Sequence, residues 1–294
     1  MFTFVRRQRF AQEVSFPVAP QSAPEPSSML EIEFAQISDV GRVREGNEDY
    51  IGHSLPETSE QAQSQGWLFA LADGVGGHQQ GEVASKAAVE SLLSGFRTAK
   101  RGESVPSLME SLVQTANARV FEAGVAAGIH GAGMATTLVA CALRYDRAVV
   151  AHVGDSRCYL IRRGQIALLT RDHTIAHEHA RMGLLSEDEI AEAETRHVLS
   201  RSLGAGLFVN VDIADHQVLP GDILVLCSDG LHGVVPPSEI AALLGEGADL
   251  SRAAQRLVAL ANDRDGSDNA SVQLIRVKSV ERVGMYRGRP YKLR

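Results

Sequence analysis

The chain has 294 residues, 44% hydrophobic and 22% charged, with a formal net charge of -7. That composition is ordinary for a globular fold and long enough for one large domain with tails, and the acidic balance argues against a nucleic-acid binder. Cys141, Cys158 and Cys227 lie in apolar stretches, which predicts reduced, buried thiols and a cytoplasmic home. No apolar run reaches about 18 residues, so no membrane span is expected. Arg6, Arg7 and Arg9 lack a following apolar region, which argues against a signal peptide.

Residues 1–30, rich in Pro, Ser, Ala and Gln, are expected to form a flexible tail. Strand-like runs then follow at 33–38, 67–72, 136–143, 148–153, 158–163, 166–170, 211–218, 223–228 and 270–277. They are rich in Val, Ile, Leu and Thr and are bounded by turn residues. Short links such as "RYDR" and "RRGQ" favour antiparallel neighbours, because a parallel crossover needs a dozen or more residues. Helix-like periodicity marks 80–98 (Val83, Ala84, Ala87, Ala88, Leu92, Phe96), 105–127 and 251–263. Antiparallel strands broken by helices predict helices packed on the outer faces of sheets. The end of the chain, 279–294, is expected to be a solvated basic tail; docking to an acidic partner or a membrane surface is the alternative.

The acids fall at strand ends. Glu48 and Asp49 follow the first strand. Asp73 ends the second, in "LADGVGGHQQGE". Asp155 ("VGDSR") and Asp229 ("CSDGL") end two others, and Asp265 and Asp268 precede the last. One Asp beside Gly is usually a turn residue. Several such acids meeting at one mouth would repel each other, and a cation is the natural solution. The glycines after Asp73 do not fit a phosphate-binding P-loop or a dinucleotide fingerprint. An oxygen-only donor set selects hard ions such as Mg2+ or Mn2+.

Seven motifs occur in order: "SDVGRVREGNED", "LADGVGGHQQGEVAS", "TTLV", "VGDSRCYL", "LTRDHT", "LCSDGL" and "DNASV". Together, over about residues 33–277, they resemble the PP2C-like (PPM) metal-dependent serine/threonine protein phosphatases of bacterial type. The resemblance implies an α+β sandwich, two antiparallel sheets flanked by pairs of helices, spanning 31–278 with a flap insert at about 172–208. It implies two Mn2+ or Mg2+ ions: Asp73 bridging them, Gly74 contributing its carbonyl, Asp49 on the second and Asp229 and Asp268 on the first. Asp155, with Asp229, matches a third, weaker cation position. Glu48 would orient water, and Arg44 would grip phosphate oxygens in a bidentate fork. The implied reaction is hydrolysis of phosphoserine and phosphothreonine in proteins, opposing a serine/threonine kinase, by in-line attack of water activated between the ions. The competing functions are a catalytically silent phosphoprotein-binding module and a phosphatase of small phosphometabolites.

The sequence also departs from the family pattern. Val75 stands where eukaryotic relatives carry a histidine proposed as general acid, which leaves the proton donor open; His78 is one candidate. Ala135 replaces a glycine in "MATT". His173 and His177 are spaced i, i+4 but offer no third zinc ligand, and a polar helix at the active-site rim is the favoured reading. Ser186 and Glu189 form a plausible capping box. Arg196 and Arg201 are candidate substrate contacts, and Ser156 has no Ser-His-Asp surroundings to make it a nucleophile.

Overall fold

The computed structural model describes residues 4–6, 29–75, 79–100, 102–129, 133–286 and 289–292. The layering can be traced to burial on both faces of the strands. In β4 (Trp67–Val75), Leu68, Ala70 and Ala72 face one apolar cluster, while Trp67, Phe69 and Leu71 face another. A strand covered on both sides reads as a continuous apolar run rather than an alternating one, which is why "WLFALA" shows no polar face.

Sheet B has the order β10 (Asp212–Gln217), β7 (Arg147–Val153), β6 (Leu138–Arg144), β4, β3 (Asp49–Ser54), with β5 (Ala135–Thr136) on the end of β4. Sheet A has the order β1 (Phe4–Arg6), β2 (Glu31–Asp39), β12 (Ala270–Ser279), β11 (Ile223–Cys227), β8 (Arg157–Arg162), β9 (Gln165–Leu168). Every pairing within the two sheets is antiparallel. Phe69, Val139, Val150, Leu226 and Ile275 meet between the sheets.

Helices α2 (Gln79–Arg97) and α3 (Val105–Ala126) cover the outer face of sheet B through Ala84, Ala88, Leu92, Met109, Val113 and Val120. Ser104 caps α3 by accepting the Ser107 N–H. Helices α7 (Pro237–Leu243) and α8 (Leu250–Arg264) cover sheet A, and Asp249 caps α8 in the same way. This is the helix-flanked double sheet expected from the sequence. Among the described residues no helix is long and apolar enough to cross a membrane.

Three differences from the sequence reading matter. β3 is not expected from the sequence, because "DYIGHS" lacks alternation; it forms because Gly52 lets α2 close on it, where a Cβ would lie 2.7 Å from Leu93. Asp49 therefore opens a strand of its own rather than trailing the first one. The expected strand at 136–143 divides into β5 and β6, because the N–H of Thr137 turns to the carbonyl of Asp73 (2.8 Å). The short helices α1 (Ser59–Ser64) and α6 (Asp229–His232), and α7 with them, have no periodic signal to betray them.

Between β9 and β10 lie α4 (Ile175–Arg181) and α5 (Glu187–Ile190), the latter with the capping box of Ser186 and Glu189. At the chain ends, β1 pairs with β2, and β13 (Val283–Tyr286) pairs with β14 (Arg289–Lys292). The rest of 1–28, together with Arg287 and Arg294, lies outside the described residues.

Phe69 is fully buried between the sheets, in edge contact with Phe34 at 5.1 Å. Phe69→Ala is expected to lower unfolding free energy by about 3–5 kcal/mol, read from urea denaturation followed by circular dichroism.

Candidate active site

The antiparallel register brings one end of several strands to a single rim. Asp49 opens β3 and lies directly across the ladder from Asp73 near the end of β4. β7 runs in the same direction as β4, since each is antiparallel to β6, so the turn after it carries Asp155 to the same end. In sheet A, Asp229 follows β11 and Asp268 precedes β12, again at one end. A hydrogen bond closes the gap between the sheets: the Ser228 hydroxyl donates to Asp49 Oδ2 at 2.8 Å.

The resulting cluster is buried and electrostatically strained. Asp49 and Asp155 are each 6% exposed. Burial pushes Asp49 from 3.8 up to about 7; Asp229 and Asp268 push the same way, against the hydroxyls of Ser271 and Ser228. Burial, then Asp229 and Asp172, push Asp155 up to about 8. Asp73 is raised well above its usual value by burial, Asp49, Asp229 and Asp155, and it lies within hydrogen-bonding reach of Asp229. Since one pKa unit is about 1.4 kcal/mol, keeping Asp49 ionised in the metal-free fold costs on the order of 4 kcal/mol. Asp49 Oδ1 and Asp229 Oδ1 are buried with no hydrogen-bond partner among the described residues.

Unsatisfied carboxylate oxygens in a low-dielectric pocket fit divalent cations. The donors at the rim are carboxylate oxygens, which suit Mg2+ or Mn2+ better than a closed zinc site. His173 and His177 each use Nδ1 locally, on the Gly154 N–H and the Thr174 hydroxyl.

The surrounding backbone is held closely. The Gly74 N–H donates to the Glu48 carbonyl (3.1 Å). A Cβ on Gly74 would lie 2.2 Å from the Gly81 carbonyl oxygen, and one on Gly81 would lie 2.4 Å from Glu48 Oε2. These two glycines let α2, β4 and Glu48 touch. Arg44 reaches in from the β2–β3 loop: one terminal nitrogen donates to Asp268 Oδ2 at 3.0 Å, and Glu48 and Asp73 also act on its charge. His78 lies outside the described residues.

The structure therefore brings together Asp49, Asp73, Asp155 and Asp229, with Asp268, Arg44, Glu48 and Gly74 at their margin. It separates the two arginines left open by the sequence. Arg201 is tied to Asp212 (3.0 Å) and Glu178 (3.3 Å). Arg196 instead lines a cavity of about 360 Å³ together with Asp155, Asp229 and His232.

Sequence reasoning missed the residues that brace the acids. Asn269 accepts the Glu48 N–H and donates to the carbonyls of Val40 and Gly46. Thr137 accepts the Asp73 N–H, and Thr136 donates to the Asp73 carbonyl. Ser228 holds Asp49 and also accepts the Ser271 N–H. The only signal is a small polar residue beside an acid at a strand end, which is too common to be read alone.

Comparison with known proteins agrees with this geometry. The family model "Protein phosphatase 2C" matches residues 45–267. The serine/threonine phosphatase stp of Listeria innocua is 34% identical, over 86% of this chain and 96% of that protein. The serine/threonine phosphatase of S. agalactiae superposes with a TM-score of 0.76 at 34% identity, covering 84% of this chain and all of that one. The catalytic domain of PstP, solved in complex with 2 manganese ions, gives 0.72 at 29% identity, covering 85% of this chain and all of that one. The fold and site thus define a phosphoric monoester hydrolase, and the chain belongs to the protein phosphatase 2C family. Its activity is that of a protein serine/threonine phosphatase.

The raised carboxylates fix the sign of a stability measurement. The metal-free fold holds protons on Asp49 and Asp155 that the unfolded chain releases near pH 4, so the contribution of these two carboxyls falls as pH rises from about 4 to 8, while His152 and His232, pushed down by burial to about 3 and about 4, act the opposite way below about pH 6.5. Thermal melts with and without Mg2+ are expected to show a larger gain from the cation at pH 8 than at pH 5.

Proposed function

We propose that the rim cluster holds divalent cations, Mn2+ or Mg2+, and hydrolyses phosphoserine and phosphothreonine in proteins, with a separate role for each residue around it. The observation that supports this most is the pair of orphaned buried oxygens on Asp49 and Asp229 amid mutually repelling acids. In this reading Asp73 would hold two cations, with the Gly74 carbonyl beside it; Asp49 would serve one cation, Asp229 and Asp268 the other, and Asp155 would share a third, weaker position with Asp229. When bound, the cations neutralise phosphate charge and lower the pKa of water.

The chain's own residues do the rest. Arg44 uses only one terminal nitrogen on Asp268, so its remaining donors can grip phosphate oxygens and fix the line of attack. Glu48, 6% exposed and locked through its backbone to Asn269 and Gly74, orients the attacking water. Segment 172–208 acts as a flap beside the cleft. Three buried free thiols support a reducing compartment, the cytoplasm. A serine/threonine kinase is the functional counterpart, and the net charge of -7 argues against nucleic acid as a partner. A silent binding module would have no use for so many buried, repelling acids.

Hydrolysis of an aryl phosphate and of phosphopeptides is expected to require Mn2+ or Mg2+ and to stop with EDTA. Asp73→Ala is expected to lower turnover about a thousandfold; an unchanged rate would sink the assignment. Arg44→Lys, which keeps the charge but loses the fork, is expected to cost about 10–100-fold in kcat/KM, the worth of a charged hydrogen bond, measured by steady-state kinetics.

A further inference from the structure

We propose that His173 is a positioning residue that sets the Gly154–Asp155 turn and the base of segment 172–208 together. The proposal rests on the phosphatase reading above. His173 is fully buried. Its backbone N–H donates to the Gly154 carbonyl (2.8 Å), and its Nδ1 accepts the Gly154 N–H (3.1 Å). One residue therefore grips both backbone groups of the glycine that precedes Asp155. The turn requires glycine here: φ is +108°, and a Cβ would lie 2.7 Å from Thr137, so Gly154 packs directly on that residue. Thr137 in turn bonds the Asp73 N–H and meets the Ser156 hydroxyl at 2.7 Å.

The other side of His173 faces the inserted segment. Its carbonyl accepts the Ser200 N–H (2.8 Å), next to the bridge between Thr174 and Leu199. Its Nε2 lies 3.2 Å from Asp212 Oδ2, close but not aligned as a hydrogen bond. Asp212 pairs with Arg201, and Arg201 with Glu178 on α4. The ring packs on His152, centroids 4.7 Å apart, which fixes its plane. Because Nδ1 accepts, the ring proton sits on Nε2. A leucine would fill the same space but would leave the Gly154 N–H without its partner. The same imidazole therefore links any displacement of the segment to the carboxylate of Asp155.

The test compares His173→Asn, His173→Gln and His173→Leu in the full chain. The Asn oxygen can take the place of Nδ1, whereas Gln extends past it and Leu accepts nothing. Amide hydrogen exchange without metal is expected to rise together at 154–156 and 196–200 in the Gln and Leu variants and to stay near wild type in Asn. Calorimetric Mn2+ binding is expected to weaken about tenfold in Gln and Leu and to be largely retained in Asn, the scale seen when a residue orienting a ligand is lost. Equal Mn2+ affinity in Asn and Gln, or exchange that rises in one segment but not the other, would overturn the proposal, and the Asn–Gln pair decides it if Leu does not fold. Absence of Mn2+-dependent turnover in the wild type would instead count against the phosphatase reading, while the metal-free exchange still tests His173.

Discussion

Carboxylates that repel one another are held within one buried rim, and the rest of the molecule is arranged around that repulsion. Asp49 and Asp73 face each other across a β-ladder, and Asp155 and Asp229 add to the field on Asp73. Left alone, such a cluster favours protonation or opening of the fold. A rigid double sheet resists opening, because its central strands β4, β6, β7, β11 and β12 are packed on both faces and cannot shift register without exposing an apolar side. The cluster stays poised for cations because its scaffold prevents it from relaxing.

The bracing is made of small polar groups. Ser228 reaches across the gap between the sheets to Asp49, Asn269 holds the Glu48 segment, and Thr136 and Thr137 take both backbone groups of Asp73. Each of these bonds is modest alone, and together they remove freedom from the residues proposed to hold the cations and orient water. Arg44 is different. It is partly exposed and engaged through one nitrogen, which is compatible with the phosphate-gripping role proposed for it.

Much of this is legible in the amino-acid sequence. The apolar runs of β4, β6, β7 and β11 announce strands buried on both sides, and the periodicity of α2, α3 and α8 announces helices with one apolar face. The ordered motifs supply the acids. The elements that are not legible include β3, which carries Gly52 and His53 where a strand usually alternates, and α6, which is only four residues long. Neither has a local pattern strong enough to read, because each is held by contacts from elsewhere: α2 against Gly52, and Ser228 and Ser271 beside Asp229.

The sequence by itself determined the layers, the acids and the family likeness, because periodicity and ordered motifs are local properties of the chain. Only the tertiary structure decided which acids share a field, that Asp49 opposes Asp73, and that Arg201 is tied into an ion-pair network while Arg196 borders the cleft. Likewise, nothing in "RDHTIAHEH" reveals that His173 grips Gly154. These are relations between residues far apart along the chain, set by strand register and by the packing of one sheet against the other, and no short stretch of sequence carries them.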